Sequence, residues 1–356
     1  MNKKILKKMG KIALRSLIVL LVTVAILVAG LWCAMYFTVN GPSPTAGKLL
    51  ILSLKETSAA GFLADWFMTE EEIAALMGDD EGISEDINTG LIDIPRGDDT
   101  DDATNPPETG DEPITDTPDK QDDGVEFAQV KGPTYNGIMM IVKDPTRVFV
   151  GTPAKYGEGQ KGLTLSQMID RYDAVGGTNG GGFFDEAGTG TGGIPEGIVI
   201  SEGKLLWGDR GSYYSLAGID SNGILHVGKM TGEKALSLGI KYACSYGPAL
   251  IINGVPCNEK RSLGGGLNPR TAIGQRADGA ILMLVVNGRK VDSLGATLDD
   301  LVEIMLSFGA VNASNLDGGS SSLMKYDGEF KNTSSYIYGG ERVLPTAILV
   351  RRRDAK

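Results

Sequence analysis

The sequence predicts an α+β fold: hairpin-rich mixed sheets with a few helices, preceded by an N-terminal transmembrane helix and a disordered acidic linker. Three observations predict it. Beyond Val125, short apolar runs are separated by Glu202-Gly203, Asn222-Gly223, Asn253-Gly254, Asp278-Gly279, Asn287-Gly288 and Asp327-Gly328, dipeptides suited to tight hairpin turns. Few helical patterns interrupt those runs, so strands dominate without the βαβ alternation of a parallel sheet. Finally, Leu17 to Phe37 is 21 residues without a charge.

Taken in order, residues 1–16 carry Lys3, Lys4, Lys7, Lys8, Lys11 and Arg15 and no acid. The uncharged run of residues 17–37 then matches the hydrocarbon thickness of a bilayer at about 1.5 Å per residue. It is longer than the core of a signal peptide, so an uncleaved anchor is expected. Basic residues on its N-terminal side place the N-terminus in the cytoplasm and the rest of the chain outside, at the cell membrane. Residues 38–78 form a helical juxtamembrane stalk: Leu50, Leu54, Phe62, Trp66 and Phe67 recur at near-helical spacing. Thr69-Glu-Glu-Glu72 reads as a capping box that starts a second stalk helix.

The stretch 79–124 holds 17 acidic residues against Arg96 and Lys120, a local charge of −15 in a chain of −11 overall, so the remainder is +4. With so few apolar residues it cannot offset its ordering entropy, and an extended tether is expected. The domain proper spans residues 125–353. Strands are expected at Gly137 to Val142 and Val148 to Val150, and a helix opens at the capping box Thr164-Leu-Ser-Gln167 and runs to Tyr172. A second helix runs from Leu298 to Phe308, started by Thr297 and stopped by Gly309, and Val343 to Val350 closes the domain as a strand.

Composition narrows the chemistry. One histidine, His226, excludes two-histidine zinc sites and makes any Ser-His-Asp triad depend on a residue that reads as an ordinary strand position. Three cysteines make no disulfide framework. No nucleic-acid motif and no metal-ligand spacing stands out, so no cofactor is expected, with a divalent cation such as calcium left open. Carboxylates, hydroxyls and arginine remain to do the chemistry.

Three stretches supply them. Asn315-Leu-Asp-Gly-Gly-Ser-Ser-Ser322 places one carboxylate, Asp317, beside Gly318 and Gly319, whose bare backbone admits a ligand, and beside Ser320 and Ser321, whose hydroxyls donate to oxyanions or sugar oxygens. Asn179-Gly-Gly-Gly-Phe-Phe184 combines an amide, the open backbone of Gly180 and Gly181, and the Phe184 ring, a partner for the apolar face of a sugar. Asn268-Pro-Arg-Thr-Ala-Ile-Gly274 presents Arg270, able to grip phosphate with two N–H groups, and Thr271 at the start of a strand. Taken alone, the Asp317 stretch reads better as a glycine-serine turn and Arg270 as an ordinary salt bridge, and the Asn179 stretch reads also as a glycine-rich turn entering a core strand.

In this order, the three stretches resemble the phosphodiester glycosidase family, and Gly247-Pro-Ala-Leu250 with Asn253-Gly254 resembles the segment between the first and second motifs. The resemblance covers roughly Val125 to Arg353. Ser320 stands where the family often has a third glycine, and the cysteine-rich extensions of animal members are absent. The resemblance implies hydrolysis of a carbohydrate phosphodiester at the sugar 1-position. It implies Asp317, Arg270 and Asn179 as catalytic residues, with Gly180, Gly181, Phe184, Thr271, Gly318, Gly319, Ser320 and Ser321 around the substrate. Asp185 and Glu196 rank lower as a second carboxylate. A non-catalytic envelope protein that binds or helps assemble polysaccharide is the alternative.

Overall fold

The structure, a computed structural model, describes residues 3–77, 86–94, 123–185, 188–259, 262–336 and 338–353. An α+β domain carries three antiparallel sheets. The largest has seven strands, in spatial order Val125–Lys131, Asn136–Val142, Ile281–Val286, Arg270–Arg276, Ala310–Leu316, Ala249–Ile252 and Val255–Pro256. Two five-stranded sheets pack on one of its faces through a shared core.

Alternation explains the layering. Along Asn136–Val142, Ile138, Met140 and Val142 point into the core shared by all three sheets, while Met139 and Ile141 point the other way. There they meet Leu301, Val302 and Met305 of the helix Leu298–Ser307. Where a strand has a period of two and both faces buried it must be apolar, as this one is from Ile138 to Val142. The helix starts where Thr297 caps it, with its hydroxyl accepting from the Asp300 N–H and the Asp300 carboxylate accepting from the Thr297 N–H. The Thr164/Gln167 box likewise opens the helix Leu165–Arg171, and the Thr69/Glu72 box opens Glu70–Met77.

Three hairpin dipeptides, Glu202-Gly203, Asn253-Gly254 and Asp327-Gly328, have both residues at positive φ, the backbone that a two-residue hairpin with the right twist requires. Asn222-Gly223 and Asp278-Gly279 also join paired strands. Asn287-Gly288 departs from the expectation. Its amide groups are taken up by Asn136 and Asn332, and instead of reversing the chain it opens a loop to Ala296. The closing strand begins at Ala347 rather than Val343, because Leu344 is taken into an isolated bridge with Leu163.

The N-terminal helix Lys3–Val39 is long and apolar enough to cross a membrane. The stalk folds as a helix Pro44–Lys55, a 3-10 turn Gly61–Trp66 and the helix Glu70–Met77, held by a small core of Ile51, Ala64 and Ile73. Most of the acidic stretch lies outside the described residues. Within it, residues 86–94 lie along the domain: the Asn88 N–H donates to Asn253 Oδ1, the Asp93 N–H donates to the Ala277 carbonyl, and Ile92 is buried.

Candidate active site

Strand register brings the candidate residues to one place. Thr271 pairs with Leu316 across two antiparallel strands, so the next residues, Arg270 and Asp317, emerge side by side at the same end of the seven-stranded sheet. Ala249 pairs with Ser314 on the other side, which delivers Tyr246 and Pro248 to that same end. Asn179 ends its own strand beside them. Together these ends form a cleft of about 1310 Å³ whose walls include Asp317, Gly318, Gly319, Ser320, Arg270, Arg289, Arg342, Tyr246, Asp185 and Glu196.

Asp317 occupies the cleft floor. Burial pushes its carboxyl up to about 7, against the pull of the Ser321 hydroxyl and the Arg342 charge. Ser321 Oγ is itself buried without a well-formed hydrogen bond, so the carboxylate is the group it has to face. Arg342 donates to Ser320 Oγ at 3.1 Å, stacks over the Phe183 ring and forms a close ion pair with Asp185. Tyr246 stands among Asp317, Glu196, Arg270 and the stalk residue Glu56, and its phenol is driven far up, by burial first and by those acids next.

A second cluster of donors forms an anion cradle. The Arg270 guanidinium is pinned by its Nε–H to the Ala296 carbonyl at 3.0 Å and by Nη2 to the Gly266 carbonyl at 2.7 Å. It also donates to Glu56 Oε2 at 2.7 Å. Asn268 Nδ2 donates to the same oxygen at 2.7 Å, and the Gly266 N–H donates to Oε1 at 3.3 Å. Arg289 reaches over the cradle to Asn268 Oδ1 and to the Thr57 hydroxyl. One side of Arg289 is open to the cleft; the crowding of the other, with Arg270 close by, lowers its pKa. The stalk therefore enters the cleft, with Glu56 in the cradle and Ser58 donating to Asp185 at 3.1 Å.

Asn179 and Thr271 sit behind this surface. Asn179 is fully buried: Nδ2 donates to the Asp317 carbonyl at 2.5 Å, and Oδ1 accepts from the Thr271 hydroxyl and the Leu323 N–H. Their polar atoms brace the Asp317 loop and do not line the cleft. Gly180 and Gly181 serve close packing, since a Cβ on either would overlap Thr346 or Ser245. Gly319, at positive φ, gives its N–H to the Pro269 carbonyl. Phe184 is 59% exposed and turned away, while Phe183 lines the cleft. Among the described residues, no group of three or more His, Cys, Asp or Glu side chains is placed to hold a metal ion.

Arg289, Arg342, Tyr246 and Glu56 carry no signal in the sequence that singles them out; Asn268 stands in a quoted motif but without an assigned role. Asn179→Ala is expected to strand the Leu323 N–H and the Asp317 carbonyl, while the Thr271 hydroxyl keeps Ser322, costing about 2–4 kcal/mol in urea unfolding. The retained Asp317 carboxylate should leave a measurable residual turnover.

Comparisons with known proteins bear on the family and the fold. A phosphodiester glycosidase family model matches residues 172–351. A relative in Bacillus subtilis (strain 168), the SPbeta prophage-derived uncharacterized protein YomE, is 36% identical over 103 residues, which are 28% of this chain and 16% of that protein. This chain thus spans only a minor part of that relative's length. Among solved structures, the zebrafish N-acetylglucosamine-1-phosphodiester alpha-N-acetylglucosaminidase catalytic domain auto-inhibited by pro-peptide is similar in fold. Its TM-score is 0.53 at 22% identity over 64% of this chain and 82% of that one. A putative exported protein of Burkholderia pseudomallei K96243 matches with TM-score 0.45 at 17% identity, over 61% of this chain and 74% of its own.

Proposed function

We propose that this chain, which belongs to the phosphodiester glycosidase family, is a membrane-anchored extracytoplasmic hydrolase that cleaves a sugar-1-phosphodiester in a cell-envelope or exopolysaccharide substrate. The observation that carries the reading is the pairing, in one cleft, of the Asp317 carboxylate with a cradle of Arg270, Asn268 and the Gly266 N–H already closed on an anion. Glu56 stands in for one charged edge of the phosphodiester: its two oxygens accept from Arg270, Asn268 and the Gly266 backbone, the donors a phosphate needs. Asp317 then faces the sugar carbon that becomes cationic as the phosphate departs. A phosphate leaving group already spreads its charge, so the site is under less pressure to protonate it than a glycosidase acting on ordinary sugars.

The N-terminal helix supports anchorage, and the basic residues confined to its N-terminal side support an outward-facing domain. Occupation of the cradle by the stalk also supports a closed resting state, in which the segment before the domain blocks it. The zebrafish catalytic domain auto-inhibited by pro-peptide is a parallel.

The test is the full-length protein in detergent, incubated with aryl or nucleoside-diphosphate esters of sugar 1-phosphates, with products followed by mass spectrometry. Free sugar and a phosphomonoester are expected. Glycan binding by calorimetry with no product, in wild type and in a variant freed of its stalk contact, would replace the hydrolase with the non-catalytic binding reading.

A further inference from the structure

We propose that Glu196 is the base that takes the proton from the attacking water, a second catalytic carboxylate opposite Asp317. This rests on the hydrolase reading above and assigns the half of the reaction that Asp317 leaves open.

Of the acids that line the cleft, Asp185 and Glu196 act on the Asp317 carboxyl, and their surroundings differ. Asp185 is fully engaged: one oxygen accepts from the Gly190 N–H at 2.7 Å and pairs with Arg342, and the other accepts from Ser58. Both of its oxygens already have partners in the protein, and Arg342 holds its charge. Glu196 is different. Its backbone is fixed, with its N–H donated to the Gly182 carbonyl at 2.9 Å and Pro195 bridged to Phe183. Its carboxylate has no hydrogen bond or ion pair among the described residues, and it opens onto the cleft.

The chain makes room for it. A Cβ on Gly182 would fall 2.6 Å from Glu196 Oε2 and 2.6 Å from the Tyr246 ring, so the third glycine of the Asn179 stretch is the notch in which this carboxylate rests. The Tyr246 ring borders the same notch, and the Glu196 charge helps raise the proton affinity of Asp317. Confinement and the Asp185 charge raise that of Glu196 as well, although it stays accessible from the cleft. A carboxylate that is unpaired, reachable by water and more basic than usual has the properties of a general base.

The step balances as a single displacement. Water oxygen forms a bond to the sugar C1 while the C1–O bond to phosphorus breaks, and its electron pair leaves on the phosphomonoester. Glu196 accepts the water proton and passes it to solvent. Asp317, ionised, lies against the positive charge that builds on C1, and the arginine cradle holds the departing phosphate.

The test is Glu196→Gln in the full-length protein, with Glu196→Asp as a second variant and thermal melts to check folding. Wild type or the Glu56→Ala variant freed of its stalk contact must turn over the sugar-1-phosphodiester; if neither does, the hydrolase reading fails and the base assignment goes with it. Given turnover, Glu196→Gln is expected to lower kcat by about 10²–10⁴ with KM little changed. Azide needs no deprotonation, so adding it should restore phosphomonoester release in Glu196→Gln and yield a glycosyl azide. Glu196→Asp should keep part of the activity without azide. Unchanged kcat in a folded Glu196→Gln, or a loss that azide does not relieve, would overturn the assignment while leaving the hydrolase reading intact.

Discussion

Asp317→Asn is expected to cut sugar release by about 10²–10³, the scale seen when a preorganised group at a developing transition-state charge is removed, while making the protein more stable above neutral pH. Both effects come from one cause. The carboxylate is held on the cleft floor where burial raises its pKa to about 7. In the unfolded chain the same group ionises near its ordinary value of 3.8. Between those two points the native protein keeps a proton that the unfolded chain has lost, so wild-type stability falls as pH rises from about 4 to about 7. Asn carries no titrating proton. The melting temperature of the variant should therefore exceed that of wild type at pH 8 by a few degrees, and the gap should close as pH approaches 4. Catalysis runs the other way: wild-type kcat/KM should climb as pH rises through about 7, because only ionised Asp317 can face a cationic sugar carbon. Calorimetry at pH 4.5 and pH 8 with kinetics over the same range checks both. A variant no more stable at pH 8, or one that still turns over, would remove Asp317 from the role given to it.

The motifs around Arg270 and Asp317 were legible from local chemistry, but that the two residues stand together follows from the pairing of Thr271 with Leu316, which no local pattern announces. Local patterns announced the helix at Leu165 by its capping box and the helix at Leu298 by its Thr297 start and Gly309 stop. What a residue does once placed depends on partners far along the chain. Asn179 is picked out by its motif, but nothing nearby says that its amide turns inward to Thr271, Leu323 and the Asp317 carbonyl. Asn287-Gly288 has the chemistry of a hairpin turn. Its role is decided by Asn136 and Asn332, some 150 and 45 residues away, and with it the position of Arg289. Residues 86–94 look like the rest of an acidic tether, yet Ile87 and Ile92 find apolar ground on the domain. The hardest feature to read was the stalk, because Glu56 is one acid in an amphipathic run until Arg270, 214 residues later, folds against it.

Evicting that acid gives the second large effect. Gly266→Ala is expected to lower the apparent KM by roughly 10- to 100-fold with kcat unchanged, because a substrate that must wait for a sparsely populated open cleft binds in proportion to the open fraction. The residue was chosen for its surroundings. A Cβ on Gly266 would meet the Ser53 backbone nitrogen at 2.1 Å and Ser53 Oγ at 2.5 Å, so the added methyl strikes the stalk. Backbone atoms in the helix Pro44–Lys55 cannot swing aside as a side chain would, and the helix must lift as a unit. Lifting it breaks the Leu267 N–H bond to Ser53 and draws Glu56 from the cradle. Glu56→Ala should reach the same state by removing the carboxylate alone. The Arg270–Glu56 pair is largely shielded, with side chains 8% and 19% exposed, so its loss leaves a cation hungry for an anion in a cleft now open to water and substrate. Two changes on opposite sides of one contact should therefore agree in sign and act on KM, and combining them should add little, since a cleft already vacated gains nothing from a second eviction. Hydrogen exchange at Leu49 to Lys55 should quicken in both. Unchanged KM in both variants, with the exchange nonetheless faster, would mean the stalk rests in the cleft without competing for it.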